Sequence, residues 1–495
     1  MKFIPSKYQQ AVYNHIENGQ GNAVIDAVAG SGKSTTIVEA IKLIPKSKTL
    51  LFLAFNKAIV EELKIKIGNL PNVEVRTLHS LGMSALLKSF KFQVDAKKYS
   101  QYVNDAIKFG SMKATIELVE EETQTYKQNI LKLVDLYRVN LCTDLDSLEL
   151  VRSKYEIATL DNECEMALNV VKWGLNQVSR IDFTDMIYFP NVKKVVLPQF
   201  DYVFIDECQD LSACQRELFL KAIKPDGRFV AVGDERQAIY GFAGADVESF
   251  RLLQQLPNTT LLPLSICYRC DSAIIELAKE IVPQIEARDN APLGLVEQDV
   301  KLAQIKDGDM ILCRVNAPLV GLCMKYIGEG TRAYVKGRDI GANLINMISK
   351  TKRRNINDAI ESIHKEGKKI TARIMRKSNC SIEEATTDAT YQNFLDKVRA
   401  IEVLAEGLQY ADAVCRRIES IFKDDQKTGI CLSSVHKAKG LEANNVFILM
   451  KDKFYNKYAM RIDWMAEQEQ NLVYVAYTRA KHYLGFIAPN EFTMD

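Results

Sequence analysis

The chain has 495 residues, with 65 Lys and Arg against 63 Asp and Glu (net charge +2), 47% hydrophobic and 26% charged residues. This composition excludes disorder as the main state, and the charge balance excludes a chain-wide basic coat while leaving room for a local basic groove. At roughly 150 residues per domain, the length suggests about three domains.

In chain order, Met1 to Gln10 holds Lys2 and Pro5 but no apolar segment of signal-peptide type, and no run of 18 apolar residues follows anywhere. Neither a secretory leader nor a membrane span is expected. Ala23-Val24-Ile25, Thr49 to Ala54, Tyr202 to Ile205 and Phe229 to Val232 predict buried strands, being short, β-branched or aromatic, and bounded by Gly, Pro or Asp. From about Gly82 to Arg180 the pattern is helical. A second strand set follows: Met310 to Cys313, Ala333 to Val335, Ile430 to Leu432, Val446 to Met450 and His482 to Ile487. It is interrupted by charged helical sequence from about Ala342 to Lys427. Strands alternating with helices imply an α/β fold with parallel sheets covered on both faces. The expected division is a first core of residues 1–82 and 181–262 with a helical insertion at 83–180. A second core of 263–341 and 428–495 carries a basic helical insertion at 342–427.

The 11 cysteines form no framework, and reduced thiols in a cytoplasmic compartment are the simplest reading. Cys267 and Cys270 make a C-x-x-C without a second pair or a His cluster, which reads as buried or incidental thiols. His15, His364 and His482 lack ligand spacing, so no zinc site is expected. Trp173 and Trp464 read as packing residues. Asp182-Phe183-Thr184-Asp185 has the composition of a helix cap closing the first insertion.

Ala27-Val28-Ala29-Gly30-Ser31-Gly32-Lys33-Ser34 follows a predicted strand and precedes a helical run, Thr35 to Leu43. The pattern is that of a Walker A phosphate loop, with Ala27 in the first glycine position. Gly30 and Gly32 let backbone N–H groups curl around phosphate oxygens, and the helix N-terminus adds a favourable dipole. Lys33 is placed to reach the β- and γ-phosphates and Ser34 to ligand Mg²⁺. The strand Tyr202 to Ile205 ends in Asp206-Glu207, a Walker B candidate. Asp206 would hold the Mg²⁺ and Glu207 would orient and deprotonate the attacking water. ATP or GTP binding and hydrolysis follow from these residues; what hydrolysis drives does not.

From Ser6 to about Leu484 the motifs resemble, in order, those of the UvrD/Rep-like superfamily 1 DNA helicases. Ser6-Lys7-Tyr8-Gln9 is similar to the adenine-reading motif, with Gln9, or Gln10 one register on, pairing adenine. Asp206-Glu207-Cys208-Gln209-Asp210 resembles the D-E-x-Q-D form of motif II. Gly233 to Phe242 resembles motif III, in which Gln237 would sense the γ-phosphate while Tyr240 and Phe242 face bases. Leu264 to Arg269 resembles motif IV, with Tyr268 stacking on adenine and Arg269 meeting the γ-phosphate. Val435 to Glu442 resembles motif V, with Glu442 on the ribose and His436 near DNA. Tyr474 to Ala480 resembles motif VI, with Arg479 as an arginine finger. Phe55-Asn56-Lys57 and Thr77-Leu78-His79-Ser80 are similar to the strand-contacting motifs of the first core.

The resemblance implies two RecA-like P-loop domains. It implies ATP (through Ala29 to Thr35, among others) and Mg²⁺ as cofactors, and single-stranded DNA and its junctions with duplex as the track. It also implies a 3′→5′ polarity and an enzyme that is a DNA-dependent ATPase and helicase, with a monomer and replication or repair partners expected. Thr35 stands where many members place an Arg against adenine, Ala243 replaces an Arg that often follows motif III, and both insertions are short for the family. Two other functions fit the same motifs: a translocase that mainly displaces bound proteins, and a nucleotide-switched DNA-binding module with little turnover.

Between Lys350 and Lys377, ten Lys and Arg face three Asp and Glu, a local excess of +7. Lys352, Arg353 and Arg354 are the expected duplex-phosphate contacts, sequence-independent and salt-sensitive.

Overall fold

The computed structural model describes residues 4–492 except 69, 116, 117, 119, 156, 158, 242–245, 247, 379, 425, 427, 455–459, 461 and 462. The chain divides into two compact units: Met1–Ala27 with Gly32–Ser265, and Val28–Ser31 with Ile266–Asp495.

In the first unit the strands are β1 (Asn22–Ala27), β2 (Leu50–Ala54), β3 (Val73–Thr77), β4 (Gln93–Val94), β5 (Arg180–Ile181), β6 (Phe200–Ile205), β7 (Ile223–Gly233) and β8 (Thr259–Leu264). Six form one sheet, in the order β3-β2-β6-β7-β1-β8, with every pairing parallel. Period-two alternation sends Val24, Leu51, Leu53, Val203 and Ile205 into the core on one face. It sends Ala23, Ile25, Leu50, Phe52 and Phe204 into the core on the other. Each fully buried Leu, Ile or Phe side chain contributes about 1.5–3 kcal/mol. Phe52 and Phe204 stack across neighbouring strands, centroids 6.2 Å apart. Between β3 and β6 the chain is mainly helical, with the two-residue strands β4 and β5 pairing in parallel.

In the second unit the strands are β9 (Ile266–Cys267), β10 (Glu286–Ala287), β11 (Leu295–Val300), β12 (Met310–Cys313), β13 (Ala333–Val335), β14 (Ile430–Ser434), β15 (Ala443–Ile448) and β16 (Ala480–Ile487). Its sheet is β11-β16-β15-β12-β14-β13, again parallel throughout. The helices Arg338–Lys350, Ile356–Ser378, Ala389–Ala405 and Ala411–Ile421 lie between β13 and β14. They bury Leu344, Ile348, Ile356, Ile363, Leu404 and Ile418 in the core that also takes Ile311 and Leu432.

The nine strands expected from sequence are all present. The strand expected over Val446 to Met450 instead runs from Ala443 to Ile448, and Met450 turns out of it at φ +54°. Three further strands of the two sheets, β3, β8 and β11, were not expected. All three are sheet edges, and an edge strand is covered on fewer sides. Its sequence is correspondingly mixed, as in Val-Glu-Val-Arg-Thr and Thr-Thr-Leu-Leu-Pro-Leu.

Candidate functional site

β1 runs into the phosphate loop. Gly30 and Gly32 sit at φ +68° and +76°, the left-handed region that side chains disfavour. Gly32 precedes the helix Lys33–Lys42 without a side-chain cap, so the first-turn N–H groups are left to an anion. Ser31 is buried and its hydroxyl oxygen has no partner among the described residues. An orphaned polar atom beside an uncapped helix start fits a nucleotide's phosphates. Ser34 is half-buried and Thr35 exposed. Of the loop residues that group with the second unit, Ala29 N–H donates to the Tyr474 hydroxyl (2.8 Å). The Gly30 carbonyl accepts from Tyr268 N–H (2.8 Å).

Gln9, the expected adenine reader, is buried. Its carbonyl accepts from Ser6 N–H (3.0 Å) and its amide donates to Thr36 Oγ1 (3.0 Å), so it joins the first helix to the phosphate-loop helix. Gln10 is exposed and donates to Asn14.

At the end of β6, Asp206 is buried and its Oδ1 accepts from Glu207 N–H (2.9 Å). Glu207 adopts φ +53°, a strain of about 1–3 kcal/mol for a non-glycine residue, of the kind that gathers at functional sites. Lys33 Nζ lies 3.9 Å from Glu207 Oε1. Gln209 Nε2 donates to Glu207 Oε2 (2.5 Å), and Gln209 Oε1 accepts from Asp234 N–H (3.1 Å). Asp234 in turn accepts from Gln237 Nε2 (2.6 Å). A chain of hydrogen bonds thus ties the expected water-activating carboxylate to the expected γ-phosphate sensor. Gly233 leaves room for it: a Cβ there would stand 2.4 Å from Gln209 Oε1.

Gln209 and Asp26 had no assigned role in the sequence reading. The signal for Asp26 was an acid inside an apolar strand, one residue before the phosphate loop. Asp26 pairs with Gly233 across β1 and β7. Burial, with Asp234 and Glu235 nearby, lifts its carboxyl to about 6 against the pull of Lys33. Mg²⁺ chemistry asks for oxygen donors, and Ser34 and Asp206 supply a hydroxyl and a carboxylate.

The first unit also gathers the expected DNA contacts. Phe55, His79, Tyr240, Thr184, Ile187 and Asp210 line a cavity of about 430 Å³. Phe55 is 49% exposed, and burial lowers the pKa of His79. Asn56 and Thr77 serve as helix caps, accepting from Ile59 N–H (2.9 Å) and Ser80 N–H (3.2 Å). Lys57 is exposed. Phe242 and Ala243 lie outside the described residues.

Behind this cavity lies an ionic cluster that the sequence reading did not find. Asp185 is fully buried between Lys98 (2.6 Å) and Arg138 (3.0 Å), with Tyr99 donating to it (2.7 Å). Asp182 pairs with Arg138 (2.8 Å) and accepts from Asp185 N–H (2.7 Å), while Thr184, at the cap position of the helix Asp185–Val192, makes no side-chain cap bond. Thr184 and Ile187 flank Asp185, so the cluster fixes one wall of the cavity. Trp173 stacks on Tyr102 at 3.7 Å, a packing role as expected.

In the second unit, Arg269 donates to Glu442 (2.7 Å) and to the Thr478 carbonyl (3.1 Å), and Lys481 pairs with Glu442 (2.6 Å). Glu442, expected on a ribose, is here the shared anion of two cations. Arg479 is 2% exposed and donates to the Val475 (2.9 Å) and Leu441 (3.1 Å) carbonyls. Tyr268 is 41% exposed. Burial first, then Arg314, Lys437 and Lys439, push His436 down to about 3, leaving a neutral imidazole. Lys352, Arg353 and Arg354 are exposed, Arg354 lying over the Tyr410 ring at 5.5 Å.

Two parallel α/β sheets, a glycine-turned phosphate loop and an acidic strand end define a P-loop protein with RecA-like domains. The family model of the UvrD/REP helicase N-terminal domain matches residues 7–258, and that of the UvrD-like helicase C-terminal domain matches 429–487. The chain belongs to the UvrD/Rep helicase family. It is 23% identical over 505 aligned positions to F-box DNA helicase protein 1 of Schizosaccharomyces pombe, covering 93% of this chain and 55% of the relative. It is 22% identical over 512 positions to F-box DNA helicase 1 of Gallus gallus, covering 96% and 48%. Against ATP-dependent DNA helicase Rep of Escherichia coli it is 24% identical over 302 positions, covering 57% and 43%. The chain spans about half the length of the curated relatives it matches. No helix among the described residues is long and apolar enough to cross a membrane.

Proposed function

We propose that this chain is an ATP- and Mg²⁺-dependent DNA helicase that translocates 3′→5′ along single-stranded DNA, its two RecA-like domains coupling ATP hydrolysis to duplex unwinding. The observation that carries the reading is Lys33 set 3.9 Å from Glu207, with Glu207 joined through Gln209 and Asp234 to Gln237. Phosphoryl transfer is catalysed by positioning and charge. Lys33 holds the β- and γ-phosphates, and Ser34 and Asp206 hold Mg²⁺, which neutralises phosphate charge when bound. Glu207 takes the proton of the attacking water, and Gln209 fixes its carboxylate. Tyr268 stacks on adenine; Arg269 and Arg479 supply cations to the γ-phosphate.

Phe55, His79 and Tyr240 hold bases in the cavity of the first unit, each stack contributing roughly 1–3 kcal/mol without sequence preference. Burial keeps His436 uncharged and lowers the pKa of His79, so both disfavour the charged form that would add phosphate attraction. Lys352, Arg353 and Arg354 meet duplex phosphates. The names of the fission yeast, chicken and Escherichia coli relatives support the helicase reading.

The test is phosphate release with and without single-stranded DNA. Glu207→Gln is expected to lose DNA-stimulated release while still binding a fluorescent ATP analogue. Full release by that variant would overturn the assignment.

A further inference from the structure

The C-x-x-C at Cys267 and Cys270 has no part in the function proposed above. Both thiols are fully buried, on the turn from β9 into the helix Ser272–Ala278. Cys270 N–H donates to Cys267 Sγ (3.4 Å). Cys270 Sγ also donates to the Thr478 carbonyl (3.7 Å), the oxygen that Arg269 reaches at 3.1 Å. Tyr268 and Arg269, the proposed adenine and γ-phosphate readers, are the two residues enclosed by the pair.

The other buried cysteines behave differently. Burial pushes Cys142 up to about 11, and Cys164, Cys214, Cys313 and Cys323 to about 12. Cys267 is instead lowered, by its contact with Cys270 first and then by backbone N–H groups and Arg269, against the effect of burial. A thiol favoured toward its thiolate by backbone N–H groups and a guanidinium, on one C-x-x-C turn with a second thiol, is the arrangement of a redox-active pair.

We propose that Cys267 and Cys270 form a reversible disulfide that switches off nucleotide use by re-aiming Tyr268 and Arg269. The switch rests on the nucleotide roles proposed for those two residues. Burial restricts the oxidant to a small one of the hydrogen peroxide class. The Cys267 thiolate attacks one peroxide oxygen, the O–O bond breaks, hydroxide leaves, and the sulfur becomes a sulfenic acid. The Cys270 sulfur then attacks that sulfur. The S–S bond forms, the S–O bond breaks, and the departing hydroxide takes up the Cys270 proton as water. Each cycle oxidises two thiols by two electrons and reduces one peroxide to two waters. A dithiol reductant restores the thiols by exchange. Closing the bond draws Cys270 away from Thr478 and tightens the four-residue turn, so Arg269 is pulled from Thr478 and Glu442 together.

The 495-residue chain is treated with hydrogen peroxide, remaining thiols are alkylated, and peptides are mapped by mass spectrometry before and after dithiothreitol. ATP hydrolysis and binding of a fluorescent ATP analogue are measured in parallel. A Cys267–Cys270 cross-link, about a tenfold loss of hydrolysis and recovery with dithiothreitol are expected. Cys267→Ser is expected to keep the reduced-state activity and to lose the peroxide response. Should that variant fail to fold, cross-linking and recovery in the unaltered chain decide. Absence of the cross-link overturns the proposal, as does full activity of the cross-linked protein. A reduced chain that neither binds nor hydrolyses ATP overturns the function on which the switch rests, and mapping distinguishes that failure from the absence of a disulfide.

Discussion

In the first sheet the candidate residues stand at the carboxyl ends of β1, β6 and β7: Asp26, Asp206, Glu207 and Asp234. In the second, Glu442 and Arg479 stand just before β15 and β16, at the amino ends, with Ala443 paired to Ala480 and Ala443 N–H donating to the Arg479 carbonyl (3.0 Å). The two sheets share their parallel construction and differ in what their edges offer. Carboxyl ends of parallel strands face helix N-termini, where phosphate and metal are read. There the acids are held by hydrogen bonds from Gln209 and Gln237. In the second unit, guanidinium groups are held by backbone carbonyls and by Glu442. The first set is acidic and held by side-chain amides, and the second is cationic and held by carbonyls and one carboxylate, which is the contrast the proposed division of roles rests on. The largest effect should come from the first. Lys33→Ala is expected to reduce DNA-stimulated hydrolysis by about 10³-fold, the loss of one preorganised charge at the reacting phosphate. It should also weaken binding of an ATP analogue, read by fluorescence titration.

The same contrast explains what could be read from the chain. The phosphate loop is local: glycines, Lys33 and Ser34 are consecutive, and a strand and a helix flank them. The eight central strands and the edge strand β13 contain continuous apolar runs, and these nine were legible for that reason. The edge strands β3, β8 and β11 carry mixed residues and were not. Arg269 and Arg479 gain meaning only from their motifs, because an isolated arginine has no local signature. The Lys98–Arg138–Asp185 cluster joins residues up to 87 positions apart, which no periodicity reports.

That cluster gives the next largest effect. Lys98→Met leaves Asp185 buried with one cation fewer, at a cost of about 3 kcal/mol in urea unfolding. A compensating Asp185→Asn in the same chain should recover part of it. Weaker again is Gln209→Ala, expected to lower kcat about tenfold, roughly 1.4 kcal/mol at the transition state. The KM for ATP should change little, since Gln209 acts on Glu207 and not on the nucleotide. An equal rise in KM would place Gln209 in binding instead.

The pH dependence should differ in sign between the units. Asp26 titrates near 6 folded against 3.8 ordinarily, so the folded state holds the extra proton and this group costs stability as pH rises through that window. His436 titrates near 3 folded against 6.5 ordinarily, so the unfolded state holds the proton and stability is lost as pH falls from 6.5 toward 3. Asp26→Asn should flatten the first slope and His436→Gln the second, read from urea midpoints across pH 3 to 7. The smallest effect is expected from reversing Lys352, Arg353 and Arg354. Duplex affinity should fall and the salt slope should drop by about 0.9 for each phosphate no longer neutralised, with hydrolysis on single strands unchanged.

The most direct measurement is ATP-driven unwinding of duplexes carrying either a 3′ or a 5′ single-stranded tail, with phosphate release followed in the same reactions. DNA-stimulated hydrolysis is expected on both tails, unwinding from the 3′ tail, and loss of both activities in Glu207→Gln. Hydrolysis indifferent to DNA, or unwinding by the Glu207→Gln chain, would contradict the proposed function.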